Sequence, residues 1–111
     1  MSSSIPESTI INVTTMDFIS EAELQFMLSK FNQMTEADFK KNLASKGCLR
    51  WAMTRVWNKE GSFRLMNIFE YKDEKSFIKC QEYFKGVEDR SNEQPLKLIS
   101  NRAVIVREFR A

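Results

Sequence analysis

The chain has 111 residues and a formal net charge of +2, and it contains no histidine. This length suits one domain with a real hydrophobic core, because a chain of this size buries roughly two-thirds of its unfolded surface. The missing histidine excludes serine–histidine triads, cysteine–histidine pairs and histidine-ligated zinc or haem. The near-neutral charge gives no support for a nucleic-acid partner.

Residues 1–8 are rich in serine and are expected to form a flexible tail, which leaves 9–111 as a single domain. The N-terminal segment lacks the basic and apolar regions of a signal peptide, and no apolar run approaches membrane-spanning length. Two cysteines, Cys48 and Cys80, do not make a disulfide framework. We therefore expect a cytoplasmic protein with free thiols, no metal, no cofactor and no membrane partner.

The first predicted elements are a strand and a long helical region. Residues 9–15 are rich in β-branched side chains, which favours a strand. Ser20 and Glu23 have the spacing of a capping box, and apolar residues then recur every three or four positions. We expect one helix, broken or kinked near residues 33–35, that ends at Gly47.

A hairpin is predicted next, over residues 48–58 and 62–71, around a type I turn with Gly61 in the left-handed region. The register carried back from this turn pairs Leu49 with Tyr71 at the far end. It collects the bulky apolar side chains on one face, which we assign to the helix-covered side of the sheet. That face holds Leu49, Trp51, Met53, Trp57, Phe63, Leu65, Phe69 and Tyr71.

A further helix and a last strand complete the domain. Asp73 is placed to cap a helix whose apolar residues, from Phe77 to Val87, form one stripe. Residues 88–102 are predicted as a loop and residues 103–109 as the last strand. The order β-α-β-β-α-β predicts a ferredoxin-like fold of the α+β class, with a four-stranded antiparallel sheet and both helices on one face.

The sheet face away from the helices is too apolar to remain bare, since large exposed apolar patches usually mark an interface. We predict a homodimer in which two sheets stack face to face, because a two-fold partner is the commonest way to cover such a patch. An RNA-recognition domain would display aromatic residues there, whereas this chain places them on the helix side. The alternative is a wetted face of small residues. The predicted dimer face holds Ile11, Val13, Ala52, Thr54, Val56, Met66 and Ile68.

The segment Lys46-Gly-Cys-Leu-Arg-Trp51, together with residues 63–71 and 72–77, resembles the antibiotic biosynthesis monooxygenase-like family. That family belongs to the dimeric α/β-barrel superfamily, and the resemblance covers about residues 9–109. It implies a dimer whose sheets form a barrel, with a ligand cavity between the sheet and the helices of each protomer. Members include cofactor-free oxygenases of aromatic polyketides, quinol oxygenases, haem-degrading enzymes and many proteins of unknown role.

The resemblance also bears on haem. Haem-degrading members use a first-strand asparagine, a third-strand tryptophan and a histidine of the second helix. Asn12 matches the first of these positions, Tyr71 stands where the tryptophan would be, and the histidine does not exist. Haem ligation through the family's residue is therefore excluded, and the sequence argues against haem degradation.

Five side chains are candidate pocket residues: Asn12, Trp51, Arg55, Asn67 and Tyr71. The amides need partners when buried, because an unpaired buried amide costs roughly 1–3 kcal/mol. Apolar walls with a few polar groups suit a small hydrophobic or aromatic ligand. The alternative is that the amides bond each other or water, that the aromatic residues are ordinary core, and that Arg55 extends to solvent.

Three functions remain open, and no residue is assigned a catalytic role. The leading prediction is a pocket protein that binds a small hydrophobic or aromatic molecule. The first alternative is a cofactor-independent monooxygenase of an aromatic or quinol-like substrate, in which the substrate anion activates oxygen and the protein supplies a base and oxyanion donors. The second is a non-catalytic structural or interaction module whose function is its dimer surface.

Overall fold

The computed structural model describes residues 9–34, 37–89 and 97–111. They form a four-stranded antiparallel sheet of order β2-β3-β1-β4 and three helices, which is the predicted ferredoxin-like fold. Helix α1 packs on β1 and β3, α2 on β2, and α3 on β2 and β3. The predicted tail lies outside the described residues. The elements are β1 (Ile10–Phe18), α1 (Glu21–Met34), α2 (Ala37–Ser45), β2 (Cys48–Arg55), β3 (Phe63–Tyr71), α3 (Glu74–Asp89) and β4 (Lys97–Val104).

The helix termini follow the local signals in the sequence. The Glu23 amide donates to Ser20 Oγ at 3.1 Å, so Ser20 caps α1 as predicted. Asp73 caps α3 by accepting from the Ser76 hydroxyl at 2.7 Å and from its amide at 2.8 Å. These bonds hold the pKa of Asp73 below its ordinary value. The predicted break near residues 33–35 separates α1 from α2, and residues 35–36 lie outside the described ranges.

The predicted hairpin register is confirmed from the Arg50–Glu70 pair to the Arg55–Leu65 pair, and one residue breaks it. A β-bulge between Cys48 and Arg50 places Cys48 opposite Tyr71. The predicted pairing of Leu49 with Tyr71 is therefore wrong, because the extra residue of a bulge has no partner across the strands. Leu49 turns outward and is 62% exposed.

The other end of the hairpin also differs from the prediction. Gly61 has a φ of +75°, as expected, but the turn is closed by a bond from the Ser62 amide to the Lys59 carbonyl at 3.2 Å. Strand β2 ends at Arg55, so Trp57 does not reach the helix side and is 90% exposed. The chain therefore leaves the sheet before Trp57, which the alternating pattern had assigned to the helix-covered side.

The last strand lies earlier than predicted. Strand β4 pairs with β1 from Lys97 opposite Asp17 to Val104 opposite Ile10, so residues 97–102 are strand and not loop. A strand forms only where a neighbouring strand offers an edge to pair with. Because β1, the partner of β4, begins at Ile10, the pairing ends at Val104. Residues 105–109 carry a strand-like sequence but run past the end of β1, and Val106 is 91% exposed.

The helix-facing side of the sheet carries two separate apolar clusters. The α3 cluster comprises Ile10, Leu43, Phe69, Tyr71, Phe77 and Cys80, with Phe39, Trp51 and Phe84 packed on it. The α1 cluster comprises Met16, Phe18, Leu24 and Leu65, with Met27, Leu28 and Met53 packed on it. In the described part of the chain, no helix combines the length and apolarity that a membrane crossing needs.

We predict that Gly47→Ala destabilises the fold by at least about 2 kcal/mol. Gly47 has a φ of +98°, and a Cβ at this position would lie 2.0 Å from Ser76 Oγ. Backbone strain of about 1–2 kcal/mol and overpacking of about 1–3 kcal/mol therefore act together. Urea unfolding at pH 7 measures the change.

Gly86→Ala is the control for this substitution. A Cβ at Gly86 would meet no atom within 4 Å, and Gly86 lies within α3, so alanine should stabilise the protein by about 0.5–1 kcal/mol. Equal effects of the two substitutions would contradict the role assigned to Gly47.

Candidate functional site

A band of polar side chains crosses the helix-facing side of the sheet between the α1 cluster and the α3 cluster. This polar band consists of Asn12 and Thr14 on β1, Asn67 on β3 and Ser100 on β4. Thr14 is the register partner of both Asn67 and Ser100, so the four residues are contiguous across three strands. Asn12 is 3% exposed and Asn67 is 5% exposed.

Asn67 is held by Trp51 from the neighbouring strand. Nε1 of Trp51 donates to Oδ1 of Asn67 at 2.9 Å, which fixes the orientation of the amide. No described residue accepts a hydrogen bond from the Asn67 amide nitrogen, and this nitrogen is not sealed from solvent as the Tyr71 hydroxyl is. The Asn67 N–H groups therefore retain a small contact with solvent, although the side chain as a whole is buried.

Asn12 belongs to a ring of three hydrogen bonds. Its Nδ2 donates to Thr14 Oγ1 at 3.3 Å, and its Oδ1 accepts from Ser100 Oγ at 3.1 Å. The Thr14 and Ser100 hydroxyls are 3.3 Å apart. The two buried amides thus bond to hydroxyl and indole groups rather than to each other.

Aromatic rings wall the polar band on the side of the α3 cluster. Trp51 stacks on Phe69 at 6.2 Å, and Phe69 stacks on Tyr71 at 5.9 Å, with interplanar angles of 11° and 12°. Phe39 of α2 meets Trp51 edge to face at 5.7 Å. Because Phe69 stands between them, Tyr71 lies behind the wall while Trp51 borders the amides.

The Tyr71 hydroxyl is sealed inside the α3 cluster. The side chain is 0% exposed, and the hydroxyl makes no hydrogen bond to the described residues, although the Gln81 side chain approaches it. Burial raises the pKa of Tyr71 well above its ordinary value, so the phenol stays neutral. A neutral phenol donates hydrogen bonds but does not act as a base near neutral pH.

Arg55 lies apart from the amides. Its guanidinium forms a bidentate ion pair with Glu21, the first residue of α1, and both side chains are more than one-third exposed. The Arg55 hydrogen bonds lower the pKa of Glu21 to about 2. The arginine therefore ties the end of β2 to the start of α1, and the structure brings only Asn12, Trp51 and Asn67 of the five candidates together.

The two thiols are not poised for reaction. Cys80 is buried in the α3 cluster, and burial raises its pKa to about 11. Burial also raises the pKa of Cys48, whose Sγ donates to the Arg50 carbonyl at 3.4 Å. Both cysteines thus remain protonated near neutral pH. In the described ranges, no group of three or more cysteine or acidic side chains is placed to hold a metal ion.

Sequence reasoning missed Thr14 and Ser100. Thr14 is two positions from Asn12 on the same strand, so the alternation of side chains would have placed it on the same face. Ser100 was assigned to a loop because the last strand was predicted too late in the chain. No sequence signal points to Ser100, because apolar and polar residues do not alternate over residues 97–104.

The comparisons with known proteins place the chain in a family. A family described as a domain of unknown function, DUF6974, matches residues 7–105, and the chain belongs to it. No protein of curated function matches the sequence.

Solved structures share the fold over nearly the whole chain. A dimeric ferredoxin-like protein from an uncultured marine organism is 29% identical, covers 96% of this chain and 95% of its own, and superposes with a TM-score of 0.82. A second such protein is 28% identical, covers 93% and 100%, and has a TM-score of 0.75. A Bacillus cereus protein provisionally assigned as an antibiotic biosynthesis monooxygenase covers 94% and 99%, with a TM-score of 0.69. It is 10% identical and therefore shows the fold alone.

We predict that Tyr71→Phe stabilises the protein by about 1 kcal/mol, because it removes a buried hydroxyl without a described partner. Urea unfolding at pH 7 measures the difference. Tyr83→Phe is the control, since the Tyr83 hydroxyl accepts from Asn42 Nδ2 at 3.3 Å and its loss should not stabilise. A loss of stability in Tyr71→Phe would show that the hydroxyl has a binding partner in solution.

Proposed function

We propose that this protein binds a small hydrophobic or aromatic molecule between the sheet and the helices, at the polar band. The observation that carries the proposal is the Asn67 amide, whose nitrogen has no acceptor among the described residues although the side chain is 5% exposed. Because this nitrogen keeps contact with solvent, water can satisfy it in the free protein. A ligand oxygen that accepts from the Asn67 amide would take the place of that water.

The surroundings of the amide support an aromatic ligand. Trp51 and Phe69 lie on one side with nearly parallel ring planes, and Met53, which packs on the α1 cluster, borders the other side. Flat aromatic molecules gain about 0.5–1.5 kcal/mol from such ring contacts beyond the burial of their apolar area. The few polar groups of the band then orient the molecule.

Oxygenation has less support than binding. A cofactor-free oxygenase needs a base beside the substrate. In the described ranges, no carboxylate is hydrogen-bonded to Asn12, Trp51 or Asn67, and Tyr71 is neutral and sealed. We therefore assign binding to this site and no reaction.

The proposal includes a homodimer formed through the sheet face away from the helices. The dimer-face residues of β1, β2 and β3 are half-buried in the single chain, and Ile99 on β4 adds a 43% exposed side chain. Thr54 donates its hydroxyl to the Met66 carbonyl at 2.8 Å, which leaves the threonine methyl as its outer surface. Two solved relatives with 28–29% identity are dimeric.

Charges on this face are paired within the chain. Arg64 binds Asp17 across β1 and β3, and Arg50 binds Glu70 across β2 and β3 at 3.3 Å. Each pair joins direct register partners at a margin of the face. A second sheet can therefore approach β1, β2 and β3 without leaving an unpaired charge among the described side chains of these three strands.

We predict that 2-naphthol shifts the indole N–H signal of Trp51, and not that of Trp57, in ¹⁵N–¹H correlation spectra. Trp51 borders the proposed site, whereas Trp57 is 90% exposed outside it. The chain has two tryptophans, so Trp57→Phe assigns both signals. Asn67→Leu should weaken binding at least about tenfold, or about 1.4 kcal/mol, because it removes the donor.

Asn32→Leu changes an exposed amide of α1 and should leave binding unchanged. If Asn67→Leu does not fold, Asn67→Thr is measured in its place. Wild-type affinity in a folded Asn67 variant, or absence of any Trp51 shift, would refute the proposed site.

We predict that the protein has twice the mass of the 13.0 kDa chain in light scattering at micromolar concentration. Ile68→Glu should convert it to a monomer, because each copy would bury an unpaired carboxylate at the interface. Ile78→Glu, on a 47% exposed side chain of α3, should leave the dimer intact. A wild-type monomer, or a dimeric Ile68→Glu variant, would contradict the assigned face.

A further inference from the structure

We infer that the ligand of the polar band carries an anionic carboxylate, which binds Arg102 beside Asn12, Thr14 and Ser100. The inference rests on the proposed function and adds to it the charge of the ligand. Arg102 stands on β4 directly opposite Asn12 in the strand register, and Ser100 stands opposite Thr14. The four side chains therefore form two adjacent cross-strand pairs on one face of the sheet.

Arg102 has no ion-pair partner among the described residues of the helix-facing side. The helix-facing positions of β1 and β3 carry no charged residue: Ile10, Asn12, Thr14, Met16 and Phe18, and Phe63, Leu65, Asn67, Phe69 and Tyr71. On β2, the charge of Arg55 is already neutralised by Glu21. Within the described part of the chain, Arg102 forms no ion pair, so its charge remains available to a ligand.

Phe77 holds the Arg102 side chain in place. The guanidinium carbon lies 4.8 Å from the centre of the Phe77 ring, in a cation–π contact between β4 and α3. A guanidinium carries five N–H donors, and none of those of Arg102 is hydrogen-bonded to a described residue. Arg102 is exposed, so the donors are accessible at the β4 side of the polar band.

The hydroxyl groups beside Arg102 are weakly committed to the protein. In the ring of three bonds, Ser100 donates to Asn12 and Asn12 donates to Thr14, so the Thr14 hydroxyl is left to donate to Ser100. The two bonds with hydroxyl donors are 3.1 and 3.3 Å long, against a usual length of about 2.7–2.8 Å, and the amide bond of 3.3 Å exceeds the usual 2.9–3.0 Å or so. The second Asn12 N–H makes no hydrogen bond to a described residue. A carboxylate makes shorter and stronger bonds to such donors, so these groups can turn to it at low cost.

The positions of these groups determine the orientation of a bound ligand. The guanidinium and hydroxyls are at the exposed β4 side, while Asn67 and the Trp51–Phe69 wall lie farther inside. An aromatic acid would place its ring against the wall and its carboxylate at the opening. Because the cation is near solvent, its contribution should weaken as salt increases.

The test compares 2-naphthoate with neutral 2-naphthamide, which share one ring system, and follows the Trp51 indole signal in titrations at low salt. We expect 2-naphthoate to bind the wild type at least about tenfold more tightly. Arg102→Gln should abolish this preference by weakening 2-naphthoate binding far more than 2-naphthamide binding, whereas Arg102→Lys should retain most of the preference. Arg107→Gln, an exposed arginine beyond the end of β4, should behave as the wild type.

The outcomes separate the two proposals. Equal binding of both probes by the wild type, or an undiminished preference in Arg102→Gln, would overturn the anionic ligand and leave the pocket standing. Failure of both probes to shift the Trp51 signal would overturn the pocket and the anion preference together.

Discussion

The pairing of β1 with two neighbours is the constraint on which the candidate site depends. Because β1 lies between β3 and β4, Thr14 faces Asn67 on one side and Ser100 on the other. The polar band exists only through this arrangement, since its members come from three distant parts of the chain. The same pairing sets the limits of β4, because Val104 is opposite Ile10, where β1 begins.

Alternate residues of each strand lie on opposite faces of the sheet, and each of the two proposed functions uses one face. Odd positions of β1, such as Ile11 and Val13, lie on the outer face, while Asn12 and Thr14 lie beneath the helices. Outer polar groups are satisfied within the sheet, as Thr54 and the cross-strand ion pairs show. The polar groups beneath the helices still have hydrogen-bond donors available. The outer face therefore favours a second sheet, and the helix-facing side favours a ligand.

Much of the fold followed from the sequence because its signals are local. Ser20 and Asp73 cap their helices through hydrogen bonds from the residue three positions further along the chain, and the hairpin register holds from Arg50 to Arg55. Of the candidate site, Asn12 and Asn67 were found as polar residues in apolar strands. Trp51 was found on their side of the sheet, but its bond to Asn67 depends on side-chain geometry that the register alone does not give.

The sequence by itself determined the element order, the antiparallel sheet and the exclusion of histidine chemistry, because periodicity, caps and composition are properties of the chain. Only the tertiary structure decided where β4 lies, that Arg55 binds Glu21 and that Phe69 separates Tyr71 from Trp51. These outcomes depend on which strand edge is available and which side chains meet across distant segments. For the same reason Ser100 and Arg102 became visible as site residues only once β4 was paired with β1.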